Sequence, residues 1–136
     1  MTTEQMISSI GDPMVRELAM RGQTRAFPKN AIIINEGDRG DSLFVILSGK
    51  VKVYVSDDDG REMILDTYSA GDYVGEMSFD GRPRSASVMT LEPTTCAVLT
   101  RDELRAAIAQ NPDVAMTLIS TLIDRARIAT DNVKNL

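Results

Sequence analysis

The chain contains no histidine and no tryptophan, and one cysteine among its 136 residues. Without histidine, most zinc, haem and non-haem iron sites lose a ligand they depend on, and catalysis loses its commonest general base. A single thiol, Cys96, forms no intrachain disulfide and cannot hold an iron–sulfur cluster, so metal and redox sensing are set aside. The same thiol, inside an apolar stretch, fits a reducing cytoplasm. No apolar run approaches the ~20 residues of a membrane-spanning helix, and the N-terminus lacks a charged-then-apolar leader pattern. Basic residues are also scarce: 15 Lys and Arg against 20 Asp and Glu leave a net charge of −5. Neutralising DNA phosphates takes clustered Lys and Arg, so this chain is not expected to hold DNA by itself. A local positive pocket built on Arg82 and Arg84 remains compatible with that balance.

What is present is an ordinary soluble composition, 43% hydrophobic and 26% charged, in a length that suits one domain. Gly49, Gly60 and Gly71 recur every 11 residues. Between them run Leu43 to Leu47, then Val51, Val53 and Val55 in alternation, then Met63 to Leu65. Short apolar runs punctuated by turn residues at this spacing predict an all-β sandwich or roll. Asp57-Asp58-Asp59-Gly60 is a hairpin turn, its glycine supplying positive φ. The three aspartates lack the twelve-residue loop and closing glutamate of a calcium site. Ala31 to Asn35, Ser85 to Leu91 and Thr95 to Thr100 supply further strands.

Helices bracket the sheet. Residues 1–11 read as an N-terminal tail. Asp12-Pro13 opens a helix to about Met20, with aspartate as N-cap and proline in the first turn. Thr100 to Glu103 is a capping box opening another to about Gln110. Residues 12–111 thus form the β-rich unit, and Asn111-Pro112 opens a long helix over 112–136. Its apolar and small residues Ala115, Ile119, Leu122, Ala126, Ala129, Val133 and Leu136 alternate steps of four and three, a heptad seam. A helix of this length spans about 37 Å, more than a small roll covers. The expectation is a parallel homodimer through this helix; the alternative is an amphipathic helix lying wholly on its own sheet. No glycine or proline stop precedes Leu136, as at a boundary inside a continuing helix.

The segment from Gly75 to Val88 is the most informative. An anion site needs a fixed guanidinium, backbone N–H groups and a hydroxyl at one point. Arg84, Ser85 and the backbone of Ala86 have that character, and a helical turn over Gly75 to Phe79 would add N-terminal amides. Glu76 suits a sugar hydroxyl. Phosphate and sugar side by side describe a nucleotide. Singly, Arg84 reads equally well as a surface arginine and Glu76 as a carboxylate favoured by a helix dipole; together, around a Gly- and Pro-containing turn, they read as a site.

This segment resembles the phosphate-binding cassette of the cyclic-nucleotide-binding domain family. Ile34 to Asp38 and Leu43 to Gly49 resemble that family's β-roll, and Arg84 to Leu136 is similar to bacterial transcription regulators of the catabolite-activator type. The resemblance implies an antiparallel β-roll, jelly-roll-like, with flanking helices and a long C-terminal dimerisation helix. It implies Glu76 on a ribose 2′-hydroxyl, Arg84 and Ser85 on a cyclic phosphate, and Gly75, Met77 and Ala86 in backbone or packing contacts. Thr130 falls where the family's long helix reaches across the dimer to the partner's bound base. The position before it, a threonine in the best-known pattern, is Ala129 here, and the cassette, with seven residues between Glu76 and Arg84, is shorter than usual. The resemblance favours cyclic AMP as the ligand, with cyclic GMP left open by the residues themselves; the implied protein is a non-enzymatic sensor of a transcription regulator, and DNA contact belongs to a domain absent from this sequence.

Two further readings stand beside this one. A non-catalytic dimerisation module with an empty cassette would use the helix seam alone, and a regulatory domain of a channel or kinase would use the same cassette. A cupin-type β-barrel enzyme would require histidines, leaving only Glu76 and Asp80 as an acid–base pair.

Overall fold

The computed structural model describes residues 1–135, Ser78 through its backbone only; Leu136 of the expected seam lies outside the described residues. In chain order the elements are α1 (Thr3–Ser8), α2 (Pro13–Arg21), β1 (Gln23–Phe27), β2 (Ile32–Ile34), β3 (Leu43–Ser48), β4 (Lys50–Ser56), β5 (Glu62–Ser69), β6 (Tyr73–Val74), a 3-10 turn (Glu76–Ser78), β7 (Ser87–Thr90), β8 (Thr94–Leu99), α3 (Arg101–Gln110) and α4 (Asp113–Lys134). Two four-stranded antiparallel sheets result, ordered β1-β8-β3-β6 and β2-β7-β4-β5.

Strand β3 explains the layering. Five consecutive residues, Leu43 to Leu47, are buried because both faces of the strand are covered. Leu43, Val45 and Leu47 pack with Leu18, Leu104, Ala107 and Val114 of the helices, whereas Phe44 and Ile46 meet Ile34, Val51 and Val88 of the second sheet. The order is helices, first sheet, second sheet, with one apolar core in each gap.

The expected caps form. Asp12 Oδ1 accepts the Met14 N–H at 2.8 Å, and Thr100 and Glu103 exchange bonds of 3.1 and 3.0 Å. In the β4–β5 hairpin the Asp57 carboxylate accepts the N–H groups of Asp59 and Arg61 at 3.0 and 2.8 Å, and Gly60 has φ 79°.

Two departures have local causes. The expected N-terminal tail holds α1, closed by a Thr2–Gln5 capping box, and its Met6 and Ile7 pack on the helical core beside buried Ile10. Strands β1 and β6 add to those expected. The first reads Gln-Thr-Arg-Ala-Phe and is mostly exposed at a sheet edge, so it lacks apolar alternation; the second is only two residues long.

Helix α4 begins in the helical layer, with Val114 buried and Leu118 packed on the core. It then passes the open end of the roll, where the Tyr73 hydroxyl donates to the Thr117 carbonyl at 3.5 Å. Among the expected seam residues, Ile119, Leu122 and Val133 stay exposed. The stripe facing the chain's own roll runs one residue ahead of that seam: Val114, Leu118, Thr121, Arg125, Ile128 and Asn132.

Candidate functional site

A cavity of about 320 Å³ opens between the mouth of the roll and α4. Its geometry starts with Gly75, which follows β6 with φ 99° and ψ 0°. A Cβ there would sit 2.5 Å from the Ser42 carbonyl oxygen and 3.0 Å from Arg84 Nη1. Only glycine turns in that space, and the turn delivers the Gly75 carbonyl to the guanidinium. Arg84 Nη1 donates to that oxygen and Nη2 to the Ser42 oxygen, both at 2.9 Å. The backbone of Arg84 donates to the Asp38 carbonyl and accepts from the Gly37 N–H, each at 2.8 Å. Arg84 therefore joins the β2–β3 loop, the 3-10 turn and the approach to β7, and its orientation is set by protein groups. It is 8% exposed. Burial lowers its pKa, while Asp41 and Glu76 act the other way; a guanidinium keeps its charge through such a change.

Glu76 opens the 3-10 turn, with its side chain only 6% exposed. Its carboxylate pairs with Arg125 of α4, whose Nη1 donates to Glu76 Oε1. The Arg125 Nη2 donates to the Tyr73 carbonyl at 2.6 Å, and the guanidinium carbon lies 4.3 Å from the Tyr68 ring centre and 5.5 Å from that of Tyr73. The Tyr68 hydroxyl is pushed up to about 12, chiefly by burial, with the nearby charge and hydrogen bond of Asp66 adding to it and the Arg125 charge opposing. Burial likewise raises Tyr73.

Six of the residues singled out from the sequence, Gly75, Glu76, Met77, Arg84, Ser85 and Ala86, line this one cavity. Met77 and Ser85 are exposed at its rim and Ala86 is half-buried. Thr130 does not line its own chain's cavity. It is exposed, and its hydroxyl donates to the Ala126 carbonyl at 3.1 Å. The expectations missed Asp66 and Tyr68 of β5 and Arg125, Ile128 and Asn132 of α4, all of which line the cavity. The signal for the helical residues lay in the stripe beside the apolar seam, where a polar arginine reads as a solvated position.

Ile34, Val53 and Val88 provide an apolar floor, the Arg84 guanidinium marks a cationic end, and Glu76 stands beside it as a hydroxyl acceptor. Such a cavity fits a small ligand with a flat apolar part, hydroxyls and one anionic group. Among the described residues, no group of Cys, Asp and Glu is placed to hold a metal ion.

The cyclic nucleotide-binding domain family matches residues 24–111. A CRP-like cAMP-activated global transcriptional regulator of Mycobacterium tuberculosis is 37% identical over 111 residues, covering 81% of this chain and 50% of that protein. The chain thus spans about half the length of this curated relative. The crystal structure of Thermus thermophilus catabolite activator protein superposes with a TM-score of 0.81 at 31% identity, covering 95% of this chain and 62% of that one. An EAL enzyme in its cAMP-bound form is 34% identical with a TM-score of 0.62, over 82% of this chain and 30% of that chain.

Proposed function

The chain belongs to the cyclic nucleotide-binding domain family, and from that premise we propose that it binds cyclic AMP as the sensing part of a transcription regulator. The observation that carries this reading is Arg84. A buried guanidinium is held by two carbonyl oxygens at one end of an apolar cavity, with Ser85 and Ala86 next in the chain and Glu76 alongside. The cyclic phosphate sits against Arg84 and the Ser85 hydroxyl, and the ribose 2′-hydroxyl donates to Glu76. Met77 and Ala86 pack against the ligand, and Gly75 lets the backbone approach it. Cyclic GMP offers the same phosphate and ribose and competes for the site. The domain binds its ligand without turning it over.

Glu76 is also the partner of Arg125, so a ribose captured there acts on α4 directly. A ligand shifts α4 by the difference in its affinity for the two helix positions. Exposed Ile119, Leu122, Ile123 and Val133 pair with a second copy in a homodimer, which brings Thr130 to the partner's base. With a net charge of −5, contact with DNA falls to residues outside this chain. The reduced, buried Cys96 suits the cytoplasm.

Titration calorimetry with cyclic AMP and cyclic GMP tests the reading. Saturable micromolar binding is expected, weakened about tenfold to a hundredfold by Arg84→Ala, since a hydrogen-bonded charge contributes about 1.5–3 kcal/mol. A thermal melt of the variant separates lost binding from lost folding. Unchanged affinity in a folded Arg84→Ala would refute the assignment. One observation favours a second reading: Arg125 already satisfies Glu76, as in a dimerisation module whose cassette stays empty. A dimer that binds neither nucleotide at millimolar concentration is the outcome that reading requires.

A further inference from the structure

Helix α4 leaves the helical core at Leu118. Among the described residues after Leu118, Thr121 and Arg125 alone are not exposed. Together with half-buried Thr117 they recur at every fourth position, so the three share one stripe of the helix. All three bond to a single residue of the roll. The Tyr73 hydroxyl donates to the Thr117 carbonyl at 3.5 Å and is hydrogen-bonded by the Thr121 hydroxyl. The Tyr73 carbonyl accepts from Arg125 Nη2 at 2.6 Å. Tyr73 thus grips α4 at points two turns apart, about 12 Å along the axis. One grip would leave the helix free to pivot; two on the same stripe fix both its slide and its roll.

Tyr73 is itself held from the other side. It pairs with Val45 of β3, packs in the helical core at 3% exposure, and follows Asp72, whose carbonyl accepts the Ile46 N–H at 2.9 Å. A phenol hydroxyl taken into such a core costs stability unless it is bonded. Here its capacity to donate and to accept is spent on α4. The chain then runs through Val74 and Gly75 into Glu76, so the residue that seats the helix is covalently close to the carboxylate of the cavity.

We propose that Tyr73 is a positioning residue through which the cavity controls α4: its hydroxyl and carbonyl seat the helix on the roll, and a displacement at Glu76 reaches the helix along the Tyr73 backbone as well as through the Arg125 side chain. The inference rests on the cyclic-nucleotide reading and adds to it a residue that does not line the cavity.

The test is hydrogen exchange on the full chain, with and without saturating cyclic AMP. Tyr73→Phe keeps the ring and removes the hydroxyl, Thr121→Val removes its partner with little change of shape, and Thr121→Ser retains a hydroxyl. Without nucleotide, exchange across the middle of α4 is expected to accelerate about tenfold in Tyr73→Phe and in Thr121→Val, the effect of losing hydrogen bonds of ordinary strength. The change that cyclic AMP produces in α4 should be lost in both and kept in Thr121→Ser. The double variant should exceed Tyr73→Phe by no more than about twofold, since both changes remove one bond. A hydroxyl that only supports the fold would lower the thermal midpoint and leave the nucleotide-induced change in α4 as in wild type; that result overturns the inference, as does full additivity in the double variant. Should Tyr73→Phe fail to fold, the two Thr121 variants, on the helix surface, decide the matter. If wild type binds cyclic AMP in an Arg84-dependent manner with no change in α4, the inference falls and the cyclic-nucleotide reading survives. If wild type binds no nucleotide, both fall together.

Discussion

At the scale of single residues the site depends on a side chain that is missing. Gly75 adopts a left-handed backbone conformation, and the space its Cβ would fill belongs to the Ser42 carbonyl and the Arg84 guanidinium. Gly75→Ala therefore meets two penalties, about 1–2 kcal/mol for the backbone conformation and a further one for displacing the carbonyl that Arg84 holds. The expected result is destabilisation by about 2 kcal/mol or more together with weakened nucleotide binding. Gly71 is a control: its φ is 94°, yet nothing lies within 4 Å of where a Cβ would stand, so Gly71→Ala meets the conformational penalty alone. Urea denaturation and calorimetry on the pair would separate strain from collision. Equal losses in both would show that the close approach at Gly75 is not what shapes the cassette.

Among the elements, α4 is the one that the proposed function asks to respond to ligand, and Arg125 is its fastening. The pairing with Glu76, the bond to the Tyr73 carbonyl and the stacking on Tyr68 tie the middle of α4 to the 3-10 turn and to β5 and β6. Arg125→Ala would strand the largely buried Glu76 carboxylate. Loss of one member of a buried pair costs about 3–5 kcal/mol, and the 20% exposure of Arg125 moves the expectation toward about 2 kcal/mol. Hydrogen exchange should accelerate in the second half of α4, while the first half, anchored by Val114 and Leu118, keeps its protection. Arg125→Lys should rescue only part of the effect, because an ammonium lacks the planar fork that bonds Glu76 and Tyr73 together while stacking on a ring. Uniform protection along α4 in Arg125→Ala would mean that the helix is held by other contacts.

For the molecule as a whole, two apolar cores on either side of the first sheet set the response to alkali. Cys96 lies fully buried between the sheets, and burial lifts its thiol from 9.0 to about 12; Tyr68 moves from 10.0 to about 12 for the same first reason. Both groups hold their protons more tightly folded than unfolded. Their contribution is therefore complete below the unfolded values and declines as pH rises from about 9 toward 12. The urea midpoint should accordingly be lower at about pH 10.5 than at about pH 8, with a shallower decline in Cys96→Ala. At the lower pH a thiol reagent should label Cys96 only on unfolding, since a buried protonated thiol is neither accessible nor nucleophilic. Rapid labelling of the native protein would place Cys96 at the surface and contradict the packing between the sheets.

What could be read from the sequence was what neighbouring residues decide among themselves. Asp12-Pro13 and Thr100 to Glu103 open helices because a side chain bonds an amide within three residues of it. Asp57 to Gly60 closes a hairpin for an equally local reason, and the apolar runs of β2 to β5, β7 and β8 declare themselves by composition. That Gly75, Glu76, Arg84 and Ser85 come together was legible because they fall within a short stretch around one turn, and they line one cavity. Tertiary structure alone decided the rest. Arg125 and Glu76 are 49 residues apart, and they meet only because α4 is carried past the mouth of the roll by the burial of Val114 and Leu118. The side of the sheet that Asp66 faces depends on a bulge at Leu65, where the pairing steps from Val53–Asp66 to Tyr54–Ile64, and no alternation rule applied to Met63-Ile64-Leu65 supplies that shift. Helix α1 and edge strand β1 carry little apolar pattern of their own and take their places from the surfaces they cover and pair with. Local chemistry thus determined most of the elements and the Gly75 to Ala86 side of the cavity, whereas register and packing between layers, which depend on surfaces distant in the chain, decided the rest of its lining.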